Sequence, residues 1–137
     1  MARLRALNDR VAKLVVCADS ADTVAGYAQA FADGKPLAVM VECDTGGGRV
    51  GVQTPQAAAD LAALIAAAPG LRFAGLLTYP AAGGAQAVEA FLSEAVALLA
   101  VKGIACPTRS NGGSPDLWKA HLVPSATEHR AGTYVYN

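Results

Sequence analysis

The sequence predicts an α/β fold in which about five parallel strands carry flanking helices. Two observations predict it. Short apolar or β-branched runs alternate along the chain with longer segments whose apolar residues recur at helical spacing. Several of those runs also end in polar, glycine-bearing stretches, where a strand of a parallel sheet hands over to a helix. At 137 residues the chain is long enough for one domain with its own core. A small doubly wound sheet, with helices on both faces, is the rival arrangement.

The elements follow in order. Leu4 to Val11 reads as the end of a helix. Lys13 to Ala18 (KLVVCA) is a β-branched run and reads as a buried strand. Asp19-Ser20, with Asp22 close by, supplies N-cap chemistry for a helix over Ala21 to Ala32 that turns Val24, Tyr27, Ala28 and Phe31 to one face. Asp33-Gly34-Lys35-Pro36 punctuates its end. Leu37 to Cys43 is a second strand. Thr54-Pro55 opens the next helix, threonine as cap and proline in the first turn, running to about Ala68 with Leu61, Leu64 and Ile65 inward. Leu71 to Tyr79 is a third strand, and Pro80 to Gly84 a loop. Ala85 to Lys102 is a helix that carries Val88, Phe91, Leu92, Ala95, Leu98 and Leu99 at helical spacing, with Gly103 at its end. Ile104 to Arg109 reads as a fourth strand and Ser110 to Ser114 as a loop. Ser114-Pro115-Asp116 opens a short helix with Trp118, which is expected to pack on the sheet or on a neighbouring chain. A fifth strand region is expected to begin at His121 to Ser125.

Composition narrows the function. No apolar run reaches the roughly 18–20 residues that cross a bilayer, and Met1 to Arg10 lacks the apolar stretch of a secretory signal. Lys+Arg and Asp+Glu number 11 each, so no basic surplus points to nucleic acid. Cys17, Cys43 and Cys106 are far apart, with no CxxC spacing, and read as small buried residues in a reducing cytoplasm. His121 and His129 have no metal-ligand spacing and read as structural or rim residues, so no metal site is expected.

Parallel βαβ units bring the strands' carboxyl ends to one side. Asp44, Arg49, Thr78, Tyr79, Ser110, Asn111, Gly112, Gly113, Arg130 and Gly132 would then line one site. Glycine-rich loops admit an anion because backbone N–H groups can approach its oxygens. Ser110 to Pro115 (SNGGSP) suits a phosphate best, although it is neither a Walker A loop nor GxGxxG, and an ordinary glycine turn explains it equally. Arg49 is either a solvated surface residue or a group held over a planar, charged ligand by Gly46-Gly47-Gly48. Asp44 is its orienting partner or a plain loop carboxylate. Tyr79 is an acid–base or stacking group, or a strand tyrosine with a wet hydroxyl.

At these residues the chain resembles the fold-type III pyridoxal-phosphate enzymes, the alanine-racemase-like barrels, and within them the D-threonine aldolase and D-serine dehydratase branch. The matching pieces are VECDTGGGRVGV (41–52), PGLRFAGLLTYP (69–80), SNGGSP (110–115) and TEHRAGTYVYN (127–137), with LVVCADSADTV (14–24) in weaker support. They stand in the family's order and cover nearly the whole chain. The resemblance implies a partial (βα) TIM-type barrel over residues 1–137, in the likeness of its later part. It implies pyridoxal phosphate as cofactor and an amino acid as substrate. Arg49 would contact the pyridoxal ring, and Tyr79 would stand beside cofactor and substrate as the catalytic group. Ser110, Asn111, Gly112 and Gly113 would belong to the phosphate-binding loop, and Gly132, Thr133 and Tyr134 to a second one.

One departure limits the resemblance. The family's lysine, which holds the cofactor as a Schiff base, lies in an Arg-Pro-His-x-Lys-type segment that this sequence lacks. Lys13, Lys35, Lys102 and Lys119 match it nowhere. The expectation is therefore an aldolase- or racemase-like fragment with no covalent cofactor anchor and no turnover on its own. The alternative is a half-barrel that binds small anions, or serves a structural purpose, and self-associates to cover its edges.

Overall fold

A computed structural model describes residues 1–136. Its elements are α1 (Ala2–Arg10), β1 (Val15–Ala18), α2 (Ala21–Ala30), β2 (Leu37–Cys43), α3 (Pro55–Ala67), β3 (Leu71–Thr78), α4 (Ala85–Val101), β4 (Thr108–Gly112) and β5 (Glu128–Arg130), with 3-10 segments at Ser114–Leu122 and Thr133–Tyr136. The five strands form one parallel sheet in the order β1-β2-β3-β4-β5. Each strand lies beside its predecessor and the winding never reverses, as in a barrel rather than a doubly wound sheet.

Alternation along the strands divides the two faces. Leu37, Val39, Val41 and Cys43 of β2, with Leu71, Phe73 and Leu76 of β3, meet the helices in one core. That core takes Val24 from α2, Ala58, Leu61, Ala62 and Ile65 from α3, and Val88, Leu92, Ala95 and Leu99 from α4. Alanine fills many of these positions, so α3 and α4 pack closely on the sheet. The opposite face carries a small separate cluster, Ala38, Met40 and Ala74, flanked by Val15, Cys17 and Leu77. No helix residue belongs to it, which rules out the doubly wound rival for the described residues.

Local chemistry sets the boundaries. Ser20 caps α2 by accepting the Thr23 N–H at 3.3 Å, and Thr54 caps α3 by accepting the Ala57 N–H at 3.1 Å. Lys35 Nζ donates to the Asn8 and Val11 carbonyls at 2.8 and 2.7 Å, and Asn8 Nδ2 donates back to the Lys35 carbonyl at 3.0 Å. Those bonds fasten α1 to the turn before β2. At Ala74 β3 carries one residue more than β2, and Gly75 follows with φ +136°. A side chain there would run into the Thr108 carbonyl of β4. Glycine is needed where the two strands close up.

Four expectations change. The fourth strand is Thr108–Gly112, not Ile104–Arg109, because Arg109 clips the approach to it. Its Nε and Nη1 donate to the Ser125 and Cys106 carbonyls at 2.5 and 2.7 Å. Ser110, Asn111 and Gly112 are consequently strand residues, paired with Glu128, His129 and Arg130. The fifth strand begins at Glu128, since the 3-10 segment runs on through His121 and Leu122 and Val123–Ala126 forms a turn. Leu64 is 51% exposed and Trp118 88% exposed, so neither packs on the sheet. α3 turns Ala58 and Ala62 to the core with Leu61 and Ile65, leaving Leu64 off that stripe. Among the described residues no helix is long and apolar enough to cross a membrane.

Candidate functional site

The loops that follow β2, β3, β4 and β5 gather at the carboxyl end of the sheet. Thr45 and Thr78 join the first two through hydroxyls 2.7 Å apart, both residues buried. Gly47 passes so close to Tyr79 that a Cβ on it would stand 3.1 Å from the Tyr79 carbonyl oxygen. The Arg49 guanidinium lies over the Tyr79 ring, 5.2 Å from its centroid, a cation–π arrangement in which arginine favours a planar partner. Gly113, at φ +118°, runs beside the same ring, and a Cβ there would lie 3.8 Å from it.

The ends of β4 and β5 are laced together. The Gly113 N–H donates to the Arg130 carbonyl at 3.1 Å, and the Gly132 N–H to Ser114 Oγ at 3.0 Å. His129 Nε2 lies 2.9 Å from the Gly113 carbonyl oxygen, while its buried Nδ1 has no partner among the described residues. Between these loops and Tyr79 opens a cleft of about 640 Å³ lined by Tyr79, Ser114, Pro115, Leu117, Trp118, Thr133 and Tyr134.

Below the cleft is a polar bridge. Arg130 is half-buried; its Nη1 donates to Ser110 Oγ at 2.5 Å and its Nη2 to the Thr78 carbonyl at 2.9 Å. Ser110 Oγ in turn bonds the Glu128 carboxylate. Desolvation lowers the Arg130 pKa from its ordinary value and Glu128 opposes that shift. The guanidinium stays charged regardless. Gly112 makes room for it, since a Cβ there would collide with the Arg130 guanidinium.

Set against the sequence, Tyr79, Thr133 and Tyr134 line the cleft, Arg49 covers Tyr79, and Gly113 and Gly132 fix its wall. Ser110, Asn111 and Gly112 were expected in the same loop as Gly113, but lie inside β4. Ser110 is engaged by Glu128 and Arg130, and Asn111 Oδ1 accepts the Gly112 N–H at 2.9 Å. Asp44 does not pair with Arg49; it binds the loop backbone instead. His121 is exposed on the 3-10 segment. Asn137, last residue of the 127–137 stretch, lies outside the described residues. Thr45 and Gln53 went unread in the sequence. Only a fixed Asp44-Thr45-Gly46-Gly47-Gly48 turn, with its side-chain-to-backbone bonds, could have pointed to Gln53.

The family model described as "Alanine racemase, N-terminal domain" matches residues 2–137. The chain belongs to the alanine racemase N-terminal domain family. This family is pyridoxal-phosphate-dependent, of fold type III. A 3-hydroxy-D-aspartate aldolase of Paracoccus denitrificans (strain Pd 1222) is 31% identical over 98% of this chain and 38% of its own. The crystal structure of D-threonine aldolase from Filomicrobium marinum superposes with a TM-score of 0.86 at 28% identity, over 97% of this chain and 40% of that one. Alanine racemase from Corynebacterium glutamicum, 23% identical, shares the fold with a TM-score of 0.78 over 97% of this chain and 38% of that one. The chain thus spans about 38% of the length of the curated relative and only part of these barrels.

The residues present fit the family's cofactor in part. An arginine over an aromatic ring, a wall of glycine and hydroxyl groups, and a cleft of about 640 Å³ suit a flat, anionic, phosphate-bearing ring. A covalent anchor is another matter. Lys35 is spent on α1, Lys102 caps α4 and pairs with Asp60 at 3.0 Å, Lys119 is exposed on the 3-10 segment, and Lys13 precedes the amino end of β1.

Proposed function

We propose that residues 1–137 form one partial barrel domain that carries the pyridoxal-phosphate and amino-acid wall of a D-threonine aldolase-like enzyme. The observation that carries this reading is the Arg49 guanidinium 5.2 Å from the ring centroid of Tyr79, a residue that lines the cleft. Arg49 contacts the cofactor ring. Tyr79 stands between cofactor and substrate as the acid–base or stacking group. Gly113 with Gly132, Thr133 and Tyr134 receives the phosphate, and Ser110, Asn111 and Gly112 hold that wall from within β4. When bound, the cofactor supplies the electron sink for a carbanion at the substrate's α-carbon. This chain's residues bind, orient and shield it.

With no lysine at the cleft, the chain binds pyridoxal phosphate reversibly and does not turn over an amino acid by itself. Calorimetric titration with pyridoxal phosphate and with inorganic phosphate tests this. Preferential binding of the cofactor, lost on dialysis and leaving no borohydride-trapped lysine adduct, is the expected result. Equal binding of both would reduce the site to a generic anion cup, and a trapped adduct would overturn the non-covalent reading.

A second observation favours self-association. Among the described residues β1 and β5 are the two edges of an open sheet, with unpaired backbone groups along each. Pairing between copies would cover them, so sedimentation should show an oligomer. Three thiols with no disulfide among them suit a reducing cytoplasm.

A further inference from the structure

Asp44 lies at the hub of the loop that carries Arg49, and the reading above leaves it without a task. Its Oδ1 accepts three successive backbone N–H groups, from Gly46 at 2.9 Å, Gly47 at 2.8 Å and Gly48 at 3.1 Å. Its Oδ2 accepts Gln53 Nε2 at 3.2 Å, and that nitrogen also donates to the Gly51 carbonyl at 3.0 Å. The base of the loop is closed as well: the Asp44 N–H donates to the Val52 carbonyl and the Val52 N–H to the Glu42 carbonyl, both at 2.9 Å. Three amides meet one oxygen only because Gly46 and Gly48 take φ of +105° and +62°.

Arg49 is the residue after the third of these amides. Among the described residues no carboxylate pairs with it; the ion pairs are Arg5 with Asp33 and Lys102 with Asp60. A long side chain on an unrestrained triglycine segment would sweep a wide arc, since glycine backbone and arginine side chain both carry high conformational entropy. Its place over the Tyr79 ring therefore depends on how the backbone leading to it is held. Charge-assisted bonds from one carboxylate to consecutive amides are the strongest restraint in the loop.

We propose that Asp44 is a positioning residue: its carboxylate fixes the Gly46–Gly48 backbone and so presents Arg49 over Tyr79. The value of that placement to a cofactor ring rests on the function proposed above; the positioning itself does not.

Nuclear magnetic resonance of the full chain without cofactor reads the placement directly, because a guanidinium over an aromatic ring has its side-chain protons shifted upfield. Asp44→Ala is expected to abolish that shift at Arg49 while the methyl resonances of Val39 and Leu76 stay in place. Asp44→Asn, which keeps one carbonyl acceptor, is expected to retain part of it. An Arg49 shift unchanged in folded Asp44→Ala overturns the proposal. Should that variant fail to fold, Asp44→Asn decides: a reduced shift supports the proposal and a wild-type shift overturns it. A calorimetric arm with pyridoxal phosphate separates the two readings. If the shift collapses on substitution but wild type binds no cofactor, Asp44 positions Arg49 and the cofactor reading falls.

Discussion

The Arg130 guanidinium donates to the Thr78 carbonyl at 2.9 Å, tying strand β5 to the end of β3 across the intervening β4. The same group reaches Ser110 Oγ, so one side chain spans three strands. Their carboxyl ends hold Tyr79, Gly113 and Gly132, and Arg130 thereby sets the spacing of the cleft's wall.

Replacing Arg130 should therefore loosen the sheet at its short edge. Bonds to a charged group contribute about 1.5–3 kcal/mol, and Arg130→Ala is expected to lower unfolding free energy by roughly that amount. Arg130→Lys keeps the charge but not the fork, and should recover only part. Urea denaturation followed by circular dichroism measures both. Equal stability of Arg130→Ala and wild type would show that β5 is held without the bridge.

Gly75→Ala should be more damaging than its size suggests. The residue takes φ +136°, and the added Cβ would stand 2.8 Å from the Thr108 carbonyl carbon. Strained backbone costs roughly 1–2 kcal/mol and overpacking about 1–3 kcal/mol. A loss of at least about 2 kcal/mol in the same urea assay is expected. A smaller loss would mean that β4 moves aside freely.

Lys35→Met tests how α1 is kept on the domain. The substitution removes two donors to carbonyls of α1's last turn and C-cap, at 2.8 and 2.7 Å, while keeping most of the apolar stem. Lys35 is exposed, so solvent cuts these charged-donor bonds below the usual range, to about 0.5–1.5 kcal/mol each. Faster amide exchange confined to residues 2–10, with β2 and β3 still protected, is the expected pattern. Unchanged exchange in that helix would show that Arg5, bound to the Ala30 carbonyl at 2.8 Å, suffices.

The contrast between β2 and β4 shows what local sequence can specify. Leu37 to Cys43 is apolar and β-branched, bounded by Pro36 and Asp44, and its limits agree with the structure at both ends. The Thr54 cap was equally plain, because cap and proline stand side by side. Thr108-Arg109-Ser110-Asn111-Gly112 has no such pattern; glycine, asparagine and serine read as a loop. It is a strand because β3 and β5 lie on either side and Arg109 anchors its approach. The meeting of Arg49, Tyr79, Gly113 and Gly132 followed from parallel topology. The Arg130 bridge did not, since its carbonyl partner lies 52 residues away and no local spacing encodes it.

Cys43 gives the fold a defined alkaline weakness. It is buried between β2 and the helices, and desolvation chiefly pushes its thiol up from 9.0 to about 12. The folded state therefore keeps a proton that the unfolded chain releases near pH 9. Because the folded pKa is raised, the stability linked to this group is fully present below about pH 9. It is lost as pH rises from there toward about 12. Burial also raises the thiols of Cys17 and Cys106 and the Tyr27 phenol, so they add to the same slope. Cys43→Ala is expected to flatten the decline in unfolding free energy between pH 9 and 11 without abolishing it, at the cost of a small cavity. Native-state alkylation at pH 8 should modify Cys43 last, only as fast as the sheet opens. A pH profile identical to wild type in Cys43→Ala would show that the buried thiol does not set the alkaline limit.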